Sequence, residues 1–246
     1  MGSKRPLEIK AVLFDLGNTL AGGSDTYEAF KASILAVASK LRELGFRVDA
    51  KRLAEVRLRN RAFFTELRKK TLKEVLGEIW MRRDLEDAGL KPDDSLVKEA
   101  LRAHCEAIVN LRYVYDDVLE ALEKLMELGY RMAVVSNVSV HWMAEETLRR
   151  LGLMHFFEFL VTSASVGWRK PHPAIFNEAL RLLGLTSKEA VFVGDDLWAD
   201  IYGAKSIGMR TVWIKRKEKV QEPIINPDAE VNSLKELMEA ILSFSE

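Results

Sequence analysis

From about residue 112 the chain alternates short apolar runs with amphipathic stretches that close on glycine, and this rhythm constrains the fold more than any other feature. Segments 132–135, 159–162, 190–193 and 211–214 read as buried strands. Helices are expected near 116–128, 141–151, 173–183 and 200–207, stopped by Gly129, Gly152, Gly184 and Gly208. A loop with Pro223 and Pro227 then leads to a last helix at about 233–243. Regular β–α alternation of this kind predicts a parallel sheet covered on both faces, a doubly wound α/β core. A further strand opens the chain at about 9–15, where an apolar run broken only by Lys10 ends on Asp15.

Between the first strand and the alternating part, the pattern is helical throughout. Ser24 or Asp25 is expected to cap a first helix through Tyr27, Phe30, Ile34, Val37, Leu41 and Leu44. A second helix is expected over 50–70. A third follows a Thr71 cap, with Leu72, Val75, Leu76, Ile79 and Trp80 inside, and a fourth follows Asp93 or Asp94. No strand is expected here. The organisation that follows is a core of residues 1–20 and 113–246 with an all-helical insertion at 21–112.

Composition excludes several classes. With 37 basic and 37 acidic residues, no bulk attraction to nucleic acid or a membrane surface is expected. Cys105 is the only cysteine, so no internal disulfide forms, which suits a reducing compartment. The start lacks a secretory apolar core and no long apolar span occurs, so a cytoplasmic protein is expected. Gln221 is the only glutamine in a chain rich in Lys, Arg and Glu, a bias that suits a thermophile. The sequence leaves the oligomeric state open.

Polar groups stand where the strands end. Asp15 follows the first strand and meets Gly17-Asn18 at once. In open α/β sheets ligands bind at the carboxyl ends of strands, so an aspartate there reads as chemical, the alternative being a turn cap. Val134-Val135-Ser136-Asn137 ends a second strand on a hydroxyl, Arg169-Lys170-Pro171 opens a helix, and Val193-Gly194-Asp195-Asp196 ends a third strand on carboxylates, with Asp200 close behind. Three acids within six residues directly after a buried strand are more than a helix start requires.

Asp15, Ser136, Lys170-Pro171-x-x-x-x-Phe176 and Asp195-x-x-x-x-Asp200, in that order, resemble the four motifs of the haloacid dehalogenase superfamily over nearly the whole chain. The resemblance implies a Rossmann-like core with a helical cap inserted after the first motif. It implies a Mg²⁺-dependent phosphohydrolase acting on a small phosphorylated metabolite through an aspartyl phosphate. Asp15 would be the nucleophile. Asp15, the Gly17 carbonyl and Asp195 would hold the metal, with Asp200 supporting that shell. Ser136 and Lys170 would hold the phosphate, Lys170 also offsetting the charge of Asp15. Thr19 stands where the family often has a threonine that assists proton transfer or orders the turn, and Asn137 supplies substrate contacts or caps the next helix. Asp196 stands where many relatives carry serine.

One position departs from the pattern. The usual first motif has a second aspartate two residues on, acting as general acid and then general base; here it is Gly17. General acid–base help is worth roughly 10²–10⁴-fold, so slow turnover of alkyl phosphates is expected, with Asp25 or Glu28 as candidate substitute acids. Dehalogenases and phosphonate hydrolases of the family also lack that aspartate and remain alternatives, as does a non-catalytic phosphate-binding protein. Dehalogenation needs no metal, and no pattern singles out a cap lysine for phosphonate chemistry. Arg57, Arg59 and Arg61 are expected on a solvated helix face, the alternative being contact with an anionic substrate; Tyr113 and Tyr115 are expected at the second hinge, His172 at a helix entry and Cys105 buried. Trp168 and Trp198 flank the site in sequence, and the four histidines share no metal-binding spacing.

Overall fold

The structure is a computed structural model and describes residues 9–216 and 225–245. The strands are β1 (Ala11–Phe14), β2 (Ala21–Gly22), β3 (Tyr113–Val114), β4 (Arg131–Ser136), β5 (Leu160–Thr162), β6 (Ala190–Gly194), β7 (Arg210–Ile214) and β8 (Ala229–Val231). The α-helices are α1 (Tyr27–Glu43), α2 (Ala50–Thr71), α3 (Gly77–Asp87), α4 (Asp94–Val109), α5 (Val118–Glu127), α6 (His141–Arg150), α7 (Ser163–Val166), α8 (Pro173–Leu183), α9 (Gly203–Ser206) and α10 (Leu237–Leu242).

Among the described residues, six strands form one sheet in the order β5-β4-β1-β6-β7-β8, every pair parallel. The expected doubly wound α/β core is therefore present. Side chains alternate across the sheet as the pleat requires. Val12 and Phe14 of β1 face the cluster that holds Leu122 and Leu125 of α5. Leu13 faces the cluster that holds Ile175, Phe176 and Ala179 of α8. Phe14, Phe176 and Phe192 are fully buried, each worth about 1.5–3 kcal/mol of transfer free energy.

Strand order sets the location of the site. β1 lies between β4 and β6, with Phe14 level with Val134 on one side and Val193 on the other. Parallel strands end at the same edge, so Asp15, Ser136 and Asp195 all emerge there. This is the point where the order of the strands reverses, the usual ligand crevice of such sheets.

Helices α1 to α4 build a second core from Ile34, Leu41, Leu53, Phe64, Trp80, Leu85, Leu96 and Leu101. Several details correct the sequence expectations. Thr26, rather than Ser24 or Asp25, caps α1, its hydroxyl accepting from the Ala29 N–H at 3.1 Å. Thr71 caps nothing; α2 runs through it and ends at Leu72 in the left-handed region, φ 55°. The third helix consequently starts at Gly77, leaving Leu72, Val75 and Leu76 outside it. Some periodic positions face solvent: Tyr27 is 72% exposed and Phe63 63%. The stretch expected to lack strands contains β2, which pairs antiparallel with β3 in a ribbon that joins the helical insertion to the core.

Two more elements differ. The helix expected from Asp200 begins earlier, as a wide π-type turn over Leu197–Tyr202 that continues into α9. β8 was not expected; its three residues extend the sheet edge. Pro223 lies outside the described residues. The last helix is present, entered through Ser233 and Leu234. Asp117, just before α5, ties that end of the chain down. It accepts twice from the Arg216 guanidinium at 2.8 Å, from Ser233 Oγ at 2.9 Å and from the Leu234 N–H at 2.7 Å. Arg216 also donates to the Thr19 carbonyl at 3.0 Å, so the same cluster braces the turn after Asp15. No helix among the described residues is long and apolar enough to cross a membrane.

Candidate active site

Asp15 leaves β1 with its N–H donated to the Val193 carbonyl at 2.9 Å, which keeps it in register with β6. The chain then turns tightly, the N–H groups of Leu20 and Ala21 both donating to the Leu16 carbonyl. Asn18 takes the left-handed conformation, φ 58°, and donates through Nδ2 to Asp25 Oδ2 at 3.1 Å.

Lys170 reaches Asp15 from the loop before α8. Its Nζ donates to Asp15 Oδ1 at 2.6 Å and to the Val135 carbonyl at 2.8 Å. It also lies 2.7 Å from Asp200 Oδ1, an ion pair. Burial acts to discharge this ammonium, but Asp15 and Asp200 outweigh it and raise its pKa. Asn137 fixes the lysine's backbone, accepting the Lys170 N–H at 2.7 Å and donating to the Lys170 carbonyl at 2.9 Å. Its side chain does not cap a helix.

The carboxylates gather on the other side of Asp15. Asp15, Asp195 and Asp200 each offer an oxygen, and these atoms all lie within 4.8 Å of one another. Burial pushes the Asp200 carboxyl up; Lys170 opposes this, while Asp15 and Asp196 add to it. Gly194 makes the crowding possible, because a Cβ there would run into the Asp200 side chain. Asp196 is the helix cap: its Oδ1 accepts from the N–H groups of Trp198 and Ala199, and its own N–H donates to Asp200 Oδ2 at 3.1 Å. Hard oxygens at this spacing suit a small divalent cation such as Mg²⁺.

Asp15, Gly17, Ser136, Asn137, Lys170, Asp195 and Asp200 all line one cavity of about 400 Å³, as does Asp25. Thr19 does not; it is fully buried behind the turn. Glu28, Trp168 and Trp198 are also absent from the lining. Trp168 stacks on His172, which caps α8 through Nδ1, and Trp198 stacks on Tyr202.

The structure decides between the two readings of the α2 arginines and adds residues that spacing did not reveal. Arg57 and Arg61 line the cavity, Arg61 while still exposed, and Arg59 keeps the expected solvated position, paired with Asp87 at 2.8 Å. Arg57 pairs with Asp84 at 3.2 Å and lies over the Trp80 ring. Arg68, Arg112, Arg169 and His104 also face the cavity. His104 is pushed down to about 3 by burial and by Arg57 and Arg61, so it stays neutral. The α2–α3 connection lies against the lysine loop: the Arg169 N–H donates to the Leu72 carbonyl, the Glu74 N–H to the Gly167 carbonyl, and Glu74 accepts from Arg68, Ser163 and Arg169.

A family model described as haloacid dehalogenase-like hydrolase matches residues 9–208. The chain belongs to this family. Among the relatives of this haloacid dehalogenase-like hydrolase is the glyceraldehyde 3-phosphate phosphatase of Methanopyrus kandleri. It is 36% identical over 245 residues, spanning 95% of this chain and 97% of that protein. The ribulose-1,5-bisphosphate 5-phosphatase of Halopiger xanaduensis is 32% identical over 218 residues, spanning 85% and 86%. Among solved structures, the 2-haloacid dehalogenase from Pseudomonas syringae superposes with a TM-score of 0.74 at 29% identity, over 96% of this chain and 99% of that one.

Proposed function

We propose that the chain is a Mg²⁺-dependent phosphohydrolase acting on a small phosphorylated metabolite through an aspartyl-phosphate intermediate. The observation that carries this reading is the cluster of Asp15, Asp195 and Asp200 oxygens within 4.8 Å, with Lys170 on Asp15. Carboxylates that close to an incoming phosphate dianion repel it unless a cation lies between them. Relatives named as phosphatases over nearly the full length support the same reading.

Asp15, the Gly17 carbonyl, Asp195 and Asp200 would hold Mg²⁺. When bound, the ion screens the repulsion between carboxylate and phosphate. An Asp15 oxygen attacks phosphorus as the bond from phosphorus to the leaving oxygen breaks, giving an acyl phosphate. Water then attacks phosphorus and releases the Asp15 carboxylate and inorganic phosphate. Ser136 donates its hydroxyl to a phosphoryl oxygen. Lys170 supplies positive charge at that oxygen and holds Asp15 in line. Asn137 acts on the phosphate through Lys170. The helical insertion, taken as a cap over 21–112, closes the cavity from water.

Gly17 provides no proton carrier, so good leaving groups are favoured. Asp25, which lines the cavity, is the candidate substitute; Glu28 does not reach it. Carbon–halogen cleavage has no use for a cation-binding carboxylate cluster, which disfavours the dehalogenase reading. The test is phosphate release from a panel of phosphomonoesters with Mg²⁺ and with EDTA. Turnover that needs Mg²⁺ and disappears in Asp15→Asn is expected. Halide release from 2-haloacids that survives EDTA would overturn the proposal.

A further inference from the structure

Arg112 has buried donors with no acceptor. Its Nε and Nη1 are shielded from solvent and have no hydrogen-bond partner among the described residues. A buried guanidinium donor left unpaired costs free energy, because it has lost water and gained nothing. The other arginines deep in the cavity are committed: Arg57 to Asp84, and Arg68 and Arg169 to Glu74. Asp25 and Asp15 are close enough to act on Arg112 through their charge, yet neither accepts a hydrogen bond from these two nitrogens.

The arginine is held in place by its backbone. It directly precedes β3, and its N–H donates to the Val109 carbonyl at 3.2 Å. Gly23, at φ 93°, packs so closely on this segment that a Cβ would lie 3.3 Å from the Arg112 Cα. The side chain thus lines the same cavity as Lys170 from a fixed point where the insertion rejoins the core. Arg61, on α2, lines that cavity too and has no ion pair among the described residues.

We propose that Arg112 forms the centre of a second anion-binding subsite, and that the substrate carries a carboxylate or a second phosphate in addition to the phosphoryl group that is cleaved. A guanidinium presents a fork of donors matched to both groups, and a bound oxyanion would supply an acceptor that this side chain lacks. The 400 Å³ cavity has room for a molecule with two charged ends. This inference rests on the phosphatase reading for its first anion, and only for that.

The test uses three phosphomonoesters on one three-carbon chain, with Mg²⁺ present. They end in a carboxylate (3-phosphonooxypropionate), a second phosphate (propane-1,3-diol bisphosphate) or a hydroxyl (3-hydroxypropyl phosphate). The quantity read is the ratio of kcat/KM for each anion-tailed compound to that for the hydroxyl compound. The wild type is expected to favour one or both anionic tails by about 10- to 100-fold, the range of a charge-assisted hydrogen bond. Arg112→Met is expected to collapse the ratio and Arg112→Lys to restore part of it, which also covers a methionine variant that fails to fold. The tail with the larger ratio distinguishes carboxylate from phosphate. A ratio near one in the wild type, or one unchanged in Arg112→Met, overturns the proposal and leaves the phosphatase reading standing. If none of these three alkyl phosphates is turned over, the same ratio read as Kd by calorimetry decides the anion preference, and the phosphatase reading is decided separately by phosphate release from esters with good leaving groups.

Discussion

The side chain of Asn137 grips the backbone of Lys170 on both sides of the residue, accepting its N–H at 2.7 Å and donating to its carbonyl at 2.9 Å. Both bonds are between uncharged groups, but together they set the origin from which the lysine side chain reaches Asp15.

Asn137→Ala should therefore cost activity through Lys170. Two hydrogen bonds at about 1 kcal/mol each predict a melting temperature several degrees lower and a clear fall in kcat. Asn137→Asp keeps the acceptor and loses the donor, so it should fall between wild type and alanine. Steady-state kinetics and thermal melts check the order; an alanine variant as active as wild type would remove Asn137 from the site.

Gly17→Asp should gain function. An added Cβ at Gly17 meets no atom within 4 Å, so the backbone there accepts a side chain without a clash at its first carbon. Alkyl-phosphate turnover should rise, with a ceiling of roughly 10²–10⁴-fold, while aryl phosphates change less. Equal rates in both proteins on both substrate classes would show that the proton carrier is already supplied by another residue.

The Asp117–Arg216 cluster should make stability depend on acid. Burial pushes the Asp117 carboxyl up, but Arg216, the Leu234 N–H and Ser233 outweigh it and hold the pKa below its ordinary value. A depressed carboxylate stabilises fully above its unfolded value near about 4, and this contribution is lost as pH falls through the folded value. Asp117→Asn should lose about 2–4 kcal/mol near neutrality, and its gap to wild type should narrow on acidification. Urea unfolding at several pH values reads both.

Cys105 should be inert in the folded chain. Burial pushes its thiol up to about 12, so almost no thiolate forms at neutral pH. A thiol reagent at mild alkaline pH should find no reactive group until denaturant is added, and then one per chain.

The parts of the site legible in the sequence were those encoded locally. Asp15, Ser136 and Asp195 could be read because each ends an apolar run, and a parallel sheet brings such ends together whatever the intervening chain does. Lys170 could be read from its motif, although its partner Asn137, over thirty residues away, could not be paired with it. Which arginines of α2 meet the cavity could not be read, because position on a helix face does not say what lies opposite. Arg57 and Arg59 are two residues apart, yet one faces the cavity and the other solvent. β2, β3 and β8 span two or three residues each, too short to show a period. The early start of the helix after β6 depends on Asp196 turning back to cap it, a role that the clustering of acids concealed.

The contacts of Glu74 bear on how the cavity opens. A lid joined to its base only through a β2–β3 ribbon could pivot freely about that ribbon. Here the loop between α2 and α3 is also fastened beside Lys170, by the backbone pairs of Leu72 with Arg169 and Glu74 with Gly167 and by the carboxylate shared with Ser163 and Arg169. If the insertion opens as a cap, a swing wide enough to release product would either detach that third anchor or use it as the pivot. In both cases the motion that empties the pocket would pull on the peptide segment carrying the lysine, and departure of the product would be tied to relaxation of the charged centre.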